Sequence, residues 1–277
     1  MVHDYFDSSK FYHDFPFCPK KGRFISTMDK VQIVILAAGK NKRMMSDDPK
    51  ALAKLGGKYF LTHILETIES LNLLIKPVVV VGHKKERIFE ELGEAYNYVH
   101  QEEQLGTGHA VMVTKEKLIE QAENTLVLYA DHPLVSKETI QKLIERHLNT
   151  DATLTMATVK LSDFLDWRET FYKNFSRIIR DKSGKILKSI EVKDANSEEK
   201  EIKEINPCYF IFKTKWLFDK LDNLKNENTQ KEYYLTDLVK IAVEEKEKIE
   251  SIDIDDPREA LGANSKEELE MLEGLTI

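Results

Sequence analysis

A chain of 277 residues with 42% hydrophobic and 32% charged residues has an ordinary globular composition and enough length for a large buried core. Its formal net charge of −7 argues against general nucleic-acid or membrane-surface binding, so we predict neither partner. The two cysteines, Cys18 and Cys208, make neither a CxxC pair nor a disulfide framework, and no apolar run is long enough to span a membrane. Because a secretion signal is also missing from the N-terminus, these features predict a cytoplasmic protein.

The N-terminal segment differs from the rest of the chain. Residues 1–27 are rich in aromatic and turn-forming residues and follow neither a helical nor a strand period. A regular pattern begins at Met28 with MDKVQIVILAAGK. We therefore predict a poorly ordered arm over residues 1–27 and one domain over residues 28–277. An arm that docks on the domain through its aromatic residues is the alternative.

From Gln32 onwards, apolar runs alternate with segments of helical period. The runs QIVILAA and PVVVVG are continuously apolar, which is typical of strands buried on both faces of a parallel sheet. The elements predicted for this half are strand 32–38, helix 59–74, strand 77–82, helix 84–95, strand 96–100, helix 109–122, strand 125–130 and helix 136–148. Ser136 would cap the last helix. Strands and helices in this order predict right-handed βαβ crossovers in a doubly wound sheet.

The pattern changes after Asp151. Longer strands are predicted over 152–161 and over 177–192, the second folded around the turn DKSGK. Residues 193–204 are highly charged and predict a solvated excursion, and CYFIF (208–212) predicts another strand. Two helices and a short strand would close the chain. The predicted fold is α/β: a Rossmann-like doubly wound mixed sheet with a smaller, partly antiparallel lobe.

The turn after the first predicted strand combines small and basic residues. It reads LAAGKNKRMMSDDPK (36–50), and its small residues would let backbone N–H groups approach an anionic ligand. Its basic residues are Lys40, Lys42, Arg43 and Lys50. The turn matches neither GxGxxG nor the GxxxxGK[ST] phosphate loop, which excludes those two kinds of nucleotide site. Taken alone, the turn has an ordinary solvated loop as its alternative interpretation.

Several motifs in order give this chain a family resemblance. The first motif is LAAGKNKRMMSDDPKAL, and QEEQLGTGHAV, LYADHPLV, EVKDA, EIN, EYYLTDL and LGANS follow it. Together they resemble the sugar-1-phosphate nucleotidyltransferases, and in particular the uridyltransferase half of the bacterial bifunctional N-acetylglucosamine-1-phosphate uridyltransferases. The resemblance runs from about Val31 to the C-terminus. It implies a nucleotidyltransferase fold in which the smaller lobe binds the sugar.

The resemblance also implies roles for individual residues. Arg43 would face the departing β,γ-phosphates and Lys50 the α-phosphate, as the catalytic cations. The residues expected to bind substrate are Leu36, Ala37, Ala38, Gly39, Gln101, Gly106, Thr107, Tyr129, Ser176, Glu191 and Asn206. Asp131 and Asn264 would hold Mg²⁺, the expected cofactor, because oxygen ligands suit this ion. The two glutamines of QEEQLGTGHA could pair with a uracil edge by donating and accepting together.

Simpler interpretations exist for most of these residues. Asp131 could cap the helix that follows it, and Asn264 could be an ordinary turn asparagine. Without the downstream motifs, Arg43 and Lys50 would be assigned to a solvated basic loop. His109 begins an amphipathic segment, so we expect it to pack or cap and not to act as a base.

The chain departs from the family pattern on the side of the sugar. Ser176 replaces a glycine of the family's YGRI, and Pro207 and Cys208 stand where the family reads INTG. Proline removes an N–H donor, and a cysteine adds bulk at a glycine position. A further change, YGD to YAD, adds a methyl group. The motifs of the nucleotide and metal side are intact.

The function implied is Mg²⁺-dependent transfer of UMP from UTP to N-acetylglucosamine 1-phosphate, which gives UDP-N-acetylglucosamine and pyrophosphate. The enzymatic alternative is the same chemistry on another sugar 1-phosphate or another nucleoside triphosphate. The non-enzymatic alternative is a family member that binds nucleotide sugars without turnover. The oligomeric state is left open by the sequence.

Overall fold

The computed structural model describes residues 30–39, 48–73, 75–93, 95–120 and 122–276. The predicted arm (1–27) and the predicted catalytic residue Arg43 lie outside these described residues, as do Lys40 and Lys42.

Strands and helices alternate along the described chain. The strands are β1 (Val31–Ala37), β2 (Lys54–Leu55), β3 (Lys58–Tyr59), β4 (Val78–Val81), β5 (Asn97–His100), β6 (Asn124–Tyr129), β7 (Leu154–Lys160), β8 (Ser176–Arg180), β9 (Ile186–Ile190), β10 (Glu204–Asn206), β11 (Phe210–Lys213) and β12 (Ile249–Asp253). The helices are α1 (Phe60–Glu69), α2 (Lys85–Leu92), α3 (Thr107–Met112), α4 (Lys115–Leu118), α5 (Lys137–Thr150), α6 (Glu169–Asn174), α7 (Ser197–Lys200), α8 (Thr214–Leu221), α9 (Asp237–Glu244) and α10 (Lys266–Thr276).

A large mixed sheet organises the fold. Its strand order is β5-β4-β1-β6-β11-β7-β10-β8-β9, and β12 pairs with β7 beside this path. Strands β5, β4, β1 and β6 are parallel, whereas β11 runs antiparallel between β6 and β7. Beyond β7, strands β10, β8 and β9 pair antiparallel and extend the sheet into a smaller lobe. The predicted α/β fold with a partly antiparallel lobe is confirmed.

Strand β1 lies in the centre of the parallel half and is buried along its whole length. Its alternate side chains enter two separate cores: Ile33 and Ile35 pack on one face of the sheet, and Val34 and Leu36 on the other. The polar side chain of Gln32 is also buried. Its NH₂ group donates to the carbonyl of Lys76 at 2.8 Å, so this buried donor has a hydrogen-bond partner. Burial on both faces explains the continuous apolar run of this segment.

The helices follow the predictions in part, and several differ from them. Ser136 caps α5, as predicted, by accepting a hydrogen bond from the Thr139 N–H at 3.0 Å. The predicted helix 109–122 is wrong as one element, because the Thr114 hydroxyl and N–H both bond back to the carbonyl of Val111 and separate α3 from α4. The charged stretch 193–204 contains α7, which has a capping box. A third helix, α10, follows the two helices and the strand predicted to close the chain.

A buried arginine supports the lobe. Arg177 in β8 has no exposed surface, and its guanidinium donates to the backbone carbonyls of Phe171, Tyr172, Phe175 and Lys200. The rings of Phe164 and Tyr172 lie against it at 5.0 and 5.6 Å from their centroids. Burial lowers the pKa of this guanidinium. One buried side chain therefore supplies hydrogen bonds to four backbone carbonyls.

We expect Arg177→Met to lower the free energy of unfolding by about 2 kcal/mol or more, because the carbonyls lose their donor while apolar volume is kept. The matched control is Arg146→Met, which removes an exposed arginine paired with Glu250 and should change stability by about 0.5 kcal/mol or less. Urea unfolding of both variants measures the difference. Equal effects of the two substitutions would show that Arg177 is not a structural anchor.

Candidate functional site

A cavity opens at the carboxyl edge of the parallel strands. It has a volume of about 520 Å³. Its walls come from residues that end or follow β1, β5 and β6, together with the loop before α3 and two segments from later in the chain. They are Leu36, Ala37, Ala38, Gly39, Lys50, Ala51, Gln101, Gln104, Gly106, Thr107, Ala110, Tyr129, Ala130, Asp131, Glu232 and Asn264. Ligands of open α/β sheets bind at this edge.

Most of the residues predicted from the sequence therefore meet in one place. The residues Leu36 to Gly39, Lys50, Gln101, Gly106, Thr107, Tyr129, Asp131 and Asn264 line the cavity. Ser176, Glu191 and Asn206 do not line it and lie together in the adjoining lobe. Arg43 lies outside the described residues.

A lysine connects the two predicted metal ligands. The Lys50 ammonium donates to Asp131 Oδ2, and it donates to Asn264 Oδ1 at 2.5 Å. The Lys50 side chain is only 11% exposed and that of Asp131 24% exposed, so the ion pair is largely shielded from water. Burial works to raise the pKa of Asp131, but the charge and hydrogen bond of Lys50, together with the neighbouring His132 and a backbone N–H, outweigh it and hold that pKa at about 2. Asp131 is therefore fully ionised at neutral pH.

The position of Asp131 depends on a close backbone approach. The alternative role of helix cap does not apply, because Ser136 caps α5. A Cβ atom on Gly262 would lie 2.4 Å from the Asp131 carbonyl oxygen and 2.7 Å from His132 Cδ2. Only glycine lets the segment 261–265 pack this tightly, and this packing brings Asn264 beside Asp131. Asn264 is thus more than a turn residue, since its side chain enters the cavity.

The chemistry of this pair suits a hard divalent cation. Among the described residues there is no group of three or more His, Cys, Asp or Glu side chains that could hold a metal. Mg²⁺ does not need one, because it usually takes one or two protein oxygens and completes its shell with phosphate and water. The carboxylate of Asp131 and the amide oxygen of Asn264 already converge on one cation, the Lys50 ammonium. The donor set therefore fits Mg²⁺ bound together with a polyphosphate.

The loop 101–108 forms the opposite wall and is joined to a distant segment. Tyr233 donates its N–H to the Leu105 carbonyl at 2.8 Å and accepts from the Gly108 N–H at 2.7 Å. The Leu235 N–H donates to the Thr107 hydroxyl at 3.0 Å. Gly106 has φ of +110°, and a Cβ there would lie 2.7 Å from the Tyr233 carbonyl oxygen. The backbone contact with Tyr233 therefore requires glycine at position 106.

The glutamines of this wall have less freedom than the sequence suggested. Gln101 donates through Nε2 to the Gly106 carbonyl at 3.2 Å, and the same nitrogen lies 3.1 Å from His109 Nδ1. Gln104 donates through Nε2 to the carbonyls of Gln101 and Glu102. The protein thus uses the NH₂ groups of both amides. The predicted pairing, in which the amides both donate to and accept from a base, would require these NH₂ groups to change partners, whereas the amide oxygens make no hydrogen bond within the described residues.

The three remaining predicted residues share one end of the lobe. Ser176 and Asn206 are register partners on neighbouring strands, and Glu191 directly follows β9. Glu191 accepts a hydrogen bond from the Thr236 hydroxyl at 2.8 Å. Burial raises the pKa of Glu191, although the hydroxyls of Ser176 and Thr236 favour its charged form. Burial raises the pKa of Tyr129 well above its ordinary value and the Glu191 charge adds to that shift, so the two side chains lie in one electrostatic environment.

Asn206 has a supporting position in this structure. It has no exposed surface, its Nδ2 donates to the Ser189 hydroxyl at 3.0 Å, and its Oδ1 accepts from the Cys208 N–H at 2.7 Å. Cys208 itself has φ of +64°, the left-handed region that favours glycine. Burial raises the pKa of its thiol far above the ordinary value, so the thiol stays protonated at neutral pH.

Some of the wall residues had no role predicted from the sequence. Ala51, Ala110 and Ala130 provide small surfaces, and Glu232 contributes a carboxylate. Glu232 lies in the EYYLTDL motif, which was recognised without a role. Its position beside the loop 101–108 depends on backbone hydrogen bonds between residues that are more than a hundred positions apart in the chain. A single sequence contains no local signal for such contacts. No helix in the described part of the chain has the length and apolar character needed to cross a membrane.

Comparison with known proteins agrees with the resemblance seen in the motifs. The MobA-like NTP transferase domain matches residues 33–239. The bifunctional protein GlmU of Streptococcus uberis is 41% identical over 233 residues, which are 84% of this chain and 49% of that protein. The GlmU of Desulfotalea psychrophila is 37% identical over 240 residues, 86% of this chain and 68% of its own length. The chain thus spans about half the length of the Streptococcus relative.

A solved structure supports the fold alone. HddC from Yersinia pseudotuberculosis, complexed with GMP-PN, superposes with a TM-score of 0.62 at 16% identity, over 89% of this chain and 99% of that one. The family match covers well over half of the chain, and the cavity lies within the matched part except for Asn264. The chain is a nucleotidyltransferase of the MobA-like NTP transferase family, similar to GlmU.

Proposed function

We propose that this protein is a cytoplasmic, Mg²⁺-dependent uridylyltransferase that converts UTP and N-acetylglucosamine 1-phosphate to UDP-N-acetylglucosamine and pyrophosphate. The observation that carries the proposal is the convergence of Lys50, Asp131 and Asn264 in a cavity at the carboxyl edge of the sheet. Similarity to GlmU over 84% of the chain supports the choice of substrates.

The cavity divides into regions that suit the parts of these substrates. The loop 101–108 would hold the uracil, with the small residues Leu36 to Gly39 beneath the ribose and phosphates. Lys50, Asp131 and Asn264 lie where the α-phosphate and its metal would be held. Tyr129 and Glu191 border the adjoining lobe, where hydroxyl-rich sugar would find hydrogen-bonding groups.

The reaction needs little from the protein beyond position and charge. The phosphate of a sugar 1-phosphate is already an anionic nucleophile, so no general base and no covalent intermediate are required. Lys50 would neutralise the α-phosphate during in-line attack, and Arg43 is expected to do so at the departing pyrophosphate. Bound Mg²⁺ would supply further neutralisation of the phosphate charge. Asp131 and Asn264 would orient that ion.

The function is tested by pyrophosphate release across a small matrix of nucleoside triphosphates and sugar 1-phosphates. We expect UTP with N-acetylglucosamine 1-phosphate to have the highest kcat/KM. If another pair of triphosphate and sugar 1-phosphate has the highest kcat/KM, the proposed substrates would be wrong but the proposed type of reaction would stand. Tight nucleotide-sugar binding without any turnover would favour the non-catalytic alternative.

We expect the lobe to discriminate incompletely between N-acetylglucosamine 1-phosphate and other sugar 1-phosphates. The crowded positions Ser176, Pro207 and Cys208 lead us to expect glucose 1-phosphate as a measurable secondary substrate. Cys208→Gly should raise the ratio of kcat/KM for N-acetylglucosamine 1-phosphate over glucose 1-phosphate by about threefold or more, since it removes bulk at a left-handed position. Steady-state kinetics with both sugars measures the ratio. An unchanged ratio would show that the Cys208 side chain does not hinder binding of the N-acetyl group.

A further inference from the structure

His109 contacts the glutamine that faces the base region of the cavity. Its Nδ1 lies 3.1 Å from Gln101 Nε2, and the same Nε2 donates to the Gly106 carbonyl at 3.2 Å. A carbonyl can only accept, so the group that faces Gly106 must be the NH₂ group of Gln101. The contact with Gly106 therefore identifies the nitrogen of the amide without an assumed flip.

This orientation also determines the tautomer of His109. An amide nitrogen cannot accept a hydrogen bond, so His109 Nδ1 must be the acceptor and the ring proton must lie on Nε2. Both protons of the Gln101 NH₂ group then have partners, one on Gly106 and one on His109. A packing or capping role was expected for His109 from its sequence position, whereas the structure places it against Gln101, a predicted substrate-binding residue.

The free atom of Gln101 is its oxygen. Gln101 is 2% exposed, and among the described residues no fully buried side-chain nitrogen or oxygen lacks a hydrogen-bond partner. Its Oε1 makes no hydrogen bond within that part of the chain, so Oε1 belongs to the small surface that Gln101 contributes to the cavity. Gln104 is held in a similar way, with Nε2 bound to two carbonyls. The two glutamine side chains of this wall therefore present acceptors to the base.

We propose that His109 is a positioning residue that holds the Gln101 amide with its oxygen toward the base, and that the cavity thereby selects uracil over cytosine. Uracil has a donor, N3–H, at the position where cytosine has an acceptor, N3. An acceptor on the protein pairs with the first and repels the second. The inference rests on the proposed function, because it assumes that the base of a pyrimidine nucleotide lies against the loop 101–108.

Calorimetric binding of UTP and CTP, with no sugar phosphate present, tests the proposal without turnover. We expect wild-type protein to bind UTP about tenfold or more tightly than CTP. His109→Leu removes one of the two acceptors that hold the NH₂ group of Gln101, so the amide can turn and donate to cytosine N3, and the preference should fall to about twofold or less. His109→Asn keeps an acceptor near the position of Nδ1 and should retain most of the preference.

The control is His63→Leu, because His63 is similarly half-buried but contacts the Leu55 carbonyl outside the cavity lining. It should leave the ratio unchanged. Equal weakening of UTP and CTP binding in His109→Leu would mean that His109 only supports the loop, and would overturn the proposal. Equal wild-type affinity for the two nucleotides would overturn it as well. A wild-type preference for UTP without formation of a nucleotide sugar would leave this inference standing and reject the proposed function.

Discussion

Asp131→Asn is expected to lower kcat by about a hundredfold or more while the protein remains folded. The substitution keeps the shape of the side chain and an oxygen that can accept from Lys50, but it removes the charge. That carboxylate has a pKa of about 2, so it is ionised at neutral pH, and it lines the cavity. The charge would be needed most as pyrophosphate leaves, so the loss should appear in kcat.

Asp163→Asn is the matched control for this prediction. The Arg168 guanidinium likewise holds the pKa of Asp163 at about 2, but Asp163 does not line the cavity. Steady-state kinetics at varied Mg²⁺, together with thermal unfolding, should show normal kcat in this variant and a large loss in Asp131→Asn. Wild-type kcat in Asp131→Asn, or full wild-type activity in excess EDTA, would remove Asp131 from the mechanism.

Lys50→Met is expected to lower kcat/KM for UTP by about a hundredfold or more. The same substitution should raise the affinity of the nucleotide-free protein for a divalent metal ion. The ammonium lies between Asp131 and Asn264, where a divalent ion would share the same two oxygens. Without nucleotide, the lysine therefore competes with the ion. Its removal should raise the affinity of the nucleotide-free protein for Mn²⁺ by about tenfold or more, because a repelling charge is lost.

Mn²⁺ titration followed by electron paramagnetic resonance measures this affinity directly. Lys58→Met is the control, since Lys58 pairs with Glu66 on the surface and should leave both quantities unchanged. The double variant Lys50→Met/Asp131→Asn should lose the gain. Unchanged Mn²⁺ affinity in Lys50→Met would show that the ammonium does not occupy the position of the ion, and unchanged kcat/KM would remove Lys50 from phosphate binding.

The parallel half of the fold could be predicted because its signals are local. The apolar run of β1 indicates burial on both faces, and the carboxyl ends of β1, β5 and β6 had to meet at one edge. Gly39 and Asp131 are therefore expected at one cavity, and the structure has them there together with Gln101, which the family resemblance had assigned to the base. The break between α3 and α4 was missed because Thr114 replaces a helical backbone bond with its hydroxyl, which helical periodicity does not reveal.

The parts that could not be predicted depend on contacts between distant residues. The pairing of Tyr233 with Leu105 and Gly108 explains why the loop needs its glycines, but only the folded chain brings these segments together. The full burial of Asn206 is another example, because an asparagine after a strand looks equally suited to bind a sugar or to hold a turn. The NH₂ groups of Gln101 and Gln104 are used by nearby carbonyls, a detail of side-chain rotation that composition and spacing do not contain.

The central claim is that UMP is transferred to the phosphate oxygen of N-acetylglucosamine 1-phosphate. Mass spectrometry of the products tests it most directly when the peripheral phosphate oxygens of that sugar phosphate carry a heavy-oxygen label. Attack on the α-phosphorus of UTP breaks its bond to the β-phosphate oxygen, so all of the label should appear in UDP-N-acetylglucosamine and none in pyrophosphate. Pyrophosphate without UDP-N-acetylglucosamine, or label in the pyrophosphate, would contradict the account.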